Sequence, residues 1–371
     1  MRQVKLVECA NILYGYPFDS SLFTEDDSYV PLIRIRDVMP GVASTYYTGE
    51  ILSDYLIKAE DILVGMDGNF NLAKWKDRDG LLNQRTLKIS AKDDLCINGY
   101  LYHLLGPIFK KIELNTAGGS VKHLSAKTIN SIEIPLPPLP IQQEIVRILN
   151  SFTSMITNLE TELASRQKQY EYYRNKQLTF DENDECVEWK TLGEVSLYSM
   201  ERINATELDE SNYVSVENLL QNKSGKVNST CCPNEGNWVK YSCGDTLIGN
   251  IRPNLRKIWL ADIEGGTNGD VLVIHLKDGF RSAIISKYLY YILSSEDFFL
   301  YDIQNAKGAK MPRGDKNAVM KFPIAYPSPQ RQQEIVSTLD TFESLITNIK
   351  QELEARKKQY EYYREQLLTF E

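Results

Sequence analysis

No stretch of this 371-residue chain approaches the run of about 18 apolar residues that crosses a bilayer. The opening MRQVKLVECA also lacks the apolar centre of a secretory signal, so neither a membrane-spanning nor an exported protein is expected. Cysteine is sparse and unpatterned. Cys9, Cys96, Cys186, Cys231, Cys232 and Cys243 form no CxxC pair, which points to reduced thiols in a cytoplasm. A zinc site from Cys231, Cys232 and Cys243 would need a further ligand, and the nearest histidine, His275, fits no zinc spacing.

Catalytic patterns are equally scarce. The three histidines, His103, His123 and His275, make no HExxH, and there is no GxGxxG, no phosphate-cradling P-loop and no N-P-P-[YF]. Glu188-Trp189-Lys190 is the nearest approach to a nuclease's Asp…Glu-x-Lys and has no acidic strand end ahead of it. Pairs such as Asp26-Asp27 read as solvated turn residues rather than acid–base machinery. Neither a catalytic residue nor a bound cofactor or metal is expected in this chain. A basic excess is missing too: the net charge is −8 and the pI about 5.2. Residues 1–140 carry 15 basic and 17 acidic side chains, and residues 181–330 carry 16 and 21, so any nucleic-acid site must be a local patch.

What the chain does have is a repeat. Ile141–Phe180 and Arg331–Phe370, displaced by 190 residues, are identical at 24 of 40 positions without a gap. Neither copy contains Gly or Pro, and both read as long helices. Apolar and aromatic residues recur in steps of three and four at Ile145, Ile148, Phe152, Ile156, Leu159, Leu163, Tyr170 and Tyr173. Their counterparts are Ile335, Thr338, Phe342, Ile346, Ile349, Leu353, Tyr360 and Tyr363. Forty residues make a helix of roughly 60 Å, too long to bury its stripe alone. The two copies are therefore expected to pack on each other, parallel or antiparallel.

Two globular stretches precede the helices. In residues 1–140, Tyr14–Phe23 reads as a turn-rich opening with exposed aromatics. Val30–Arg36 reads as a strand with Arg34 and Arg36 on one face, Asp61–Met66 as a buried strand running into the turn DGNFN, and Leu81–Ser90 as a further strand. Gly99–Lys111 is expected to be a helix, and Asn115–Lys127 a Gly-rich basic loop. Ile134–Pro140 (IPLPPLP) is a stiff hinge. Residues 181–330 echo this faintly. Asp245–Trp259 lies over Asp61–Trp75, and Tyr213–Gly225 over Tyr29–Gly41, at an offset of 184; Ala306–Lys316 answers Thr116–Ala126. Helices kept alike suggest one geometric role, and diverged globules suggest two ligands read by one fold.

Binding chemistry gathers in the paired loops, whose Arg, Lys, Asn and Gln match guanine and adenine edges. In the first stretch the candidates are Arg34, Arg36, Asn69, Asn71, Lys74, Gln84, Arg85, Lys122 and His123. In the second they are Asn250, Arg252, Asn254, Arg256, Lys257, Lys307, Lys310 and Arg313. The clusters Arg252–Lys257 and Lys307–Lys316 stand out as positive loops on an acidic domain.

The succession globule–helix–globule–helix resembles the specificity subunits of Type I restriction–modification systems over essentially the whole chain. The phrases that carry the resemblance are GYPFDSSLF, DILVGMDGNFN and GGSVKHLSAKTINSIEIPLPPLPIQQEI, then EWKTLGEVS, KGAKMPRGDK and YPSPQRQQEI. It implies an α+β chain with two α/β target-recognition domains, residues 1–140 and 182–330. Two spacer helices, 141–181 and 331–371, would pack as an antiparallel coiled coil in a pseudo-twofold internal repeat. It further implies that each domain reads half of a bipartite site on double-stranded DNA. Two methyltransferase subunits using S-adenosylmethionine would methylate adenine, and two restriction subunits using ATP and magnesium can join them. Two other readings stay open: a coiled-coil scaffold for protein partners, and a specificity subunit of a methylation-only system.

Overall fold

The computed structural model describes residues 2–115, 122–181 and 187–370. The chain folds as two units, residues 1–161 with 351–371, and residues 162–350. Each unit therefore takes one globular stretch, half of one long helix and half of the other.

In unit 1, strands β1 (Ala10–Tyr14), β2 (Ile62–Gly65), β3 (Leu72–Lys74) and β4 (Thr86–Ala91) form a sheet in the order β1-β4-β2-β3, antiparallel throughout. The register pairs Leu87 with Tyr14 on one side and with Val64 on the other. All four residues of Ile62–Gly65 are buried, so this apolar run is a central strand covered on both faces. Helix α1 (Asn98–Asn115) follows, and Tyr100, Leu101, Leu105 and Phe109 join Leu87 and Ile89 in the core. A second, five-stranded sheet carries Phe23–Thr24, Val30–Ile33, Tyr46–Tyr47, Leu56–Ile57 and Gly80–Leu82.

Unit 2 repeats the topology of the first sheet, while its second sheet has four strands rather than five. Strands β5 (Ser196–Tyr198), β6 (Thr246–Gly249), β7 (Ile258–Leu260) and β8 (Val271–Leu276) run in the order β5-β8-β6-β7. The internal repeat seen in the sequence is thus a repeat of sheet order, with Ile248 between Leu272 and Ile258.

The long helices are α2 (Leu139–Leu178) and, at the far end of the chain, Pro329–Leu368. They are antiparallel within each unit. In unit 1, Phe152 stacks on Tyr363 at 5.3 Å and Glu160 pairs with Lys357 at 3.0 Å. In unit 2, Tyr173 stacks on Phe342 at 5.3 Å and the Tyr170 hydroxyl donates to Glu343 at 2.9 Å. The tails of both helices continue into the cores: Tyr360, Leu368 and Phe370 in unit 1, and Tyr170, Leu178 and Phe180 in unit 2. The fully buried seam passes through Leu149 and Leu339, one residue on from Ile148 and Thr338, which are half-buried.

Each helix is bolted to its globule by a glutamine. Gln142 is fully buried; its amide donates to the Leu95 and Pro137 carbonyls and accepts from the Ile97 N–H, at 2.8–3.1 Å. Gln332 does the same with Ala283, Pro327 and Ile285. One side chain satisfies three backbone groups that would otherwise be buried without partners.

Three local expectations need correction. Val30–Arg36 is not one strand: the strand ends at Ile33, and Ile35–Val38 is a helical turn capped by the Asp37 carboxylate, which accepts from the Arg34 N–H at 3.0 Å. Arg34 and Arg36 consequently do not share a strand face. Leu81–Ser90 is two strands, Gly80–Leu82 and β4, broken at Arg85, whose φ of 66° is left-handed. The aromatics of Tyr14–Phe23 are not uniformly exposed, because Phe18 is buried in a cluster with Tyr16, Tyr47 and Tyr55.

Candidate nucleic-acid interface

In unit 1, three chain segments meet at Asp67. The turn after β2 pairs with the stretch ahead of the helical turn Ala126–Asn130, through Gly68 N–H to Lys122 O at 2.9 Å and Leu124 N–H to Met66 O at 2.7 Å. Gly68 sits at a φ of 72°, which lets the turn close this tightly. The third segment enters through Met66 N–H to Arg85 O at 2.9 Å. Asp67 lies beneath, its side chain 12% exposed. Its two oxygens hold Arg85 (65% exposed) at 2.6 Å and His123 (57% exposed) at 2.5 Å. Burial pushes the Asp67 carboxyl up, but the hydrogen bonds from His123 and Arg85 outweigh it and leave it below the usual range. A half-buried anion thus orients two exposed donors, with Asn69 and Gln84 exposed beside them.

Unit 2 builds the same loop pairing from other residues. Ile251 bridges to Arg313, the position that answers His123 in the repeat, and Arg252 N–H donates to Pro312 O at 2.7 Å. Lys307 and Arg313 exchange reciprocal backbone bonds of 2.9 Å, and the Arg313 guanidinium bonds Asp270 at 3.2 Å. Arg252, Lys310 and Arg313 are exposed on this cluster, and Asn254 is exposed on the turn Pro253–Leu255. Lys307 is tied to Asp315.

Beneath the cluster lies an unsatisfied polar pair. Asn250 and Asp302 are 4% and 1% exposed, and neither the Asn250 carbonyl oxygen nor either Asp302 oxygen has a hydrogen-bond partner among the described residues. Burial pushes the Asp302 carboxyl up to about 6. Gly314 has no side chain here for a plain reason: a Cβ would sit 2.4 Å from Asp302 Oδ1 and 2.8 Å from Asn250 Oδ1.

Several candidates point elsewhere. The Lys74 ammonium binds Glu60 at 2.7 Å and lies 5.4 Å from the Tyr102 ring centre. Lys122 turns back to the Glu113 carbonyl at 2.5 Å. Arg36 is spent on Ser44 and Thr45, at 2.9 and 2.7 Å, and Arg34 lies over Phe23. The Asn71 carbonyl closes the turn onto Gly65, Lys257 donates to the Val216 carbonyl at 2.6 Å, and Arg256 pairs with Glu296. Asn250 is buried rather than presented. The Gly-rich residues 116–121 and Cys186 lie outside the described residues. Lys190 is occupied by Glu188 at 2.6 Å and by the Tyr326 ring. No group of three or more His, Cys, Asp or Glu that could hold a metal occurs among the described residues, and no helix there is long and apolar enough to cross a membrane.

Sequence reasoning missed Asp67 and Asp270, which orient the donors, and the Gln142/Gln332 bolts. The glutamines did leave a signal: both stand in the repeated QQEI.

Two α/β globules that share one loop pairing, each joined to half of a repeated helix pair, make the chain a tandem of one folding unit. The family model described as "Type I restriction modification DNA specificity domain" matches residues 1–166 and again 185–355. The chain belongs to that family, the specificity subunits of type I restriction–modification systems. It is 30% identical over 355 residues to a putative type I restriction enzyme specificity subunit of Haemophilus influenzae, covering 88% of each chain. It is 27% identical over 360 residues to the EcoR124I/EcoR124II specificity subunit of Escherichia coli, covering 87% of this chain and 84% of that one. With the EcoBI specificity subunit of Escherichia coli identity rises to 40%, over 161 residues that make up 43% of this chain and 34% of that one. The fold matches the crystal structure of a Type-I restriction-modification S subunit from M. genitalium with a TM-score of 0.65 at 15% identity, covering 100% of this chain and 96% of that one.

Proposed function

We propose that the chain reads a bipartite site on double-stranded DNA, one half-site per unit, and directs adenine methylation and restriction by partner subunits. The observation that carries this reading is the recurrence of one loop pairing in both units with different side chains on it: Asn69, Gln84, Arg85 and His123 in one, Arg252, Lys310 and Arg313 in the other. Equal scaffolds with unequal donors suit two different base sequences. The Arg34, Arg36, Lys74, Lys122 and Lys257 side chains serve the scaffold in this reading.

The acidity of the chain fits a division of labour. Two methyltransferase subunits, carrying S-adenosylmethionine, supply much of the phosphate neutralisation, so this chain needs only local cationic patches. Restriction subunits add ATP- and magnesium-dependent cleavage, and the assembly works in the cytoplasm.

The test is adenine-methylation mapping across the genome of a methylation-free host that expresses the chain with its candidate methyltransferase, each alone serving as control. A bipartite motif that appears only with both present is expected. Arg313→Ala should then relax or abolish the half-site read by unit 2 while leaving the other half-site intact. A soluble complex that yields no motif would refute the reading and favour a protein scaffold.

A further inference from the structure

Unit 2 holds a cleft of about 940 Å³ between the second half of α2, residues 343–350 of the last long helix, the turn at Asn222–Gly225 and the turn at Arg256. Four cations line it: Arg174, Lys223 and Arg256, all at least partly buried, and the exposed Lys350. Arg174 is 7% exposed; its guanidinium donates to the Ser294 carbonyl, but its Nε has no partner among the described residues. Arg256 pairs through one terminal nitrogen with Glu296, and its Nε is likewise buried without a partner among the described residues. The half-buried Lys223 ammonium makes no hydrogen bond or ion pair among the described residues. Of the acids that line the cleft, Glu296 is taken by Arg256, Glu343 accepts from the Tyr170 hydroxyl at 2.9 Å, and Glu171 is exposed.

Gathering partly desolvated cations with spare donors is costly, and an anion relieves the cost. Burial first, then the nearby Arg174 charge, pushes the Lys223 ammonium down to about 8. The backbone also holds this arrangement against its preference. Asn222, Lys223 and Arg256 are non-glycine residues at φ of 55°, 61° and 51°, locked together by Asn222 N–H to Leu255 O and Lys223 N–H to Arg256 O, both at 2.9 Å.

The shared fold does not demand these charges. At the repeat offset of 184, Asn222, Lys223 and Arg256 answer to Val38, Met39 and Leu72 in unit 1. Arg174 does have a counterpart, Arg364, and both lie over a tyrosine, Tyr170 and Tyr360. One arginine belongs to the repeat, and the loop cations belong to unit 2 alone.

We propose that this cleft binds a phosphate-type oxyanion, with Arg174, Lys223 and Arg256 as its donors. Two guanidinium edges and an ammonium suit the several oxygens of a tetrahedral anion. The volume exceeds a lone phosphate and accommodates one carried on a larger body. That body is either a free phosphate ester or a DNA strand, and the two are separable.

The test titrates the full chain with inorganic phosphate, and in parallel with a short DNA duplex, by calorimetry at ionic strength balanced with sodium chloride. Lys223→Gln removes a donor that no protein group uses, and Lys223→Arg restores the charge; thermal unfolding of both variants checks that the fold is kept. Phosphate binding at about a millimolar or below is expected, weakened about tenfold or more by Lys223→Gln and recovered by Lys223→Arg. If phosphate is silent but Lys223→Gln weakens duplex binding about tenfold and flattens its salt dependence, the phosphate comes from a DNA strand. If Lys223→Gln changes neither titration, or if neither probe binds, the proposal is overturned. Methylation mapping reads the loops separately, so loss of this site leaves the recognised sequence as it was.

Discussion

Replacing Asp302 with asparagine should stabilise the protein at neutral pH. The carboxyl is 1% exposed, neither oxygen has a hydrogen-bond partner among the described residues, and burial pushes it up to about 6 from an ordinary value of 3.8. A shift of about two units corresponds to about 3 kcal/mol. The sign follows from the direction of the shift. With the folded value raised, Asp302 imposes no penalty below about pH 4, where it is protonated in both states. Its penalty grows between about pH 4 and pH 6, where the unfolded chain has lost the proton and the native state still holds it, and is fully present above 6. Asparagine keeps the shape, carries no charge, and brings an N–H₂ that can donate to the facing Asn250 oxygen. Unfolding in urea, followed by tryptophan fluorescence, reads the effect. Trp189, Trp238 and Trp259 report on unit 2, and Trp75 in unit 1 serves as an internal control. The unit 2 transition should gain about 1–3 kcal/mol at pH 7.5, shrinking toward zero at pH 4. A variant that is less stable at pH 7.5, or a difference that does not change with pH, would refute the assignment of Asp302 as a strained buried acid.

Three further outcomes are expected. Gln332→Leu should lower the unit 2 transition by about 3 kcal/mol or more, because it strands the Ile285 N–H and two carbonyls; an unchanged midpoint would show that water replaces the glutamine. A fragment of residues 1–185 should form a homodimer reading a palindromic half-site. Tyr170, Leu178 and Phe180 of one copy match, position for position, the Tyr360, Leu368 and Phe370 that pack on the unit 1 core; a folded but monomeric fragment in light scattering would count against this. Adding seven residues to each long helix, about 10 Å of rise, should lengthen the unread spacer of the methylated motif by about three base pairs, and an unchanged spacer would sink the idea that helix length sets spacing.

The helices were the most legible part of the chain, because a breaker-free run of forty residues repeated at 24 positions leaves few alternatives. Their direction was not legible: a stripe fits parallel and antiparallel pairing equally, and only contacts such as Phe152 with Tyr363 decide it. Local errors came from side chains that redirect the backbone. The alternation in Val30–Arg36 promises a strand, yet one carboxylate, Asp37, closes a helical turn on it. The candidate site was legible as two loop clusters and illegible residue by residue. Nothing in the spacing tells that Lys74 is held by Glu60 while Arg85 stays out in solvent, since that depends on which acid lies within reach after folding.

The division of each long helix between two units has a consequence for synthesis. The core of unit 1 takes Tyr360, Leu367, Leu368 and Phe370 from the far end of the chain. Those residues leave the ribosome about 200 residues after the first segment of unit 1, residues 1–161, is complete, a delay of roughly 10–40 s at ordinary elongation rates. Through that interval His103 and Phe152 lack the Tyr360 and Tyr363 rings they pack on, and a nonsense mutation late in the gene would injure the unit encoded at its beginning.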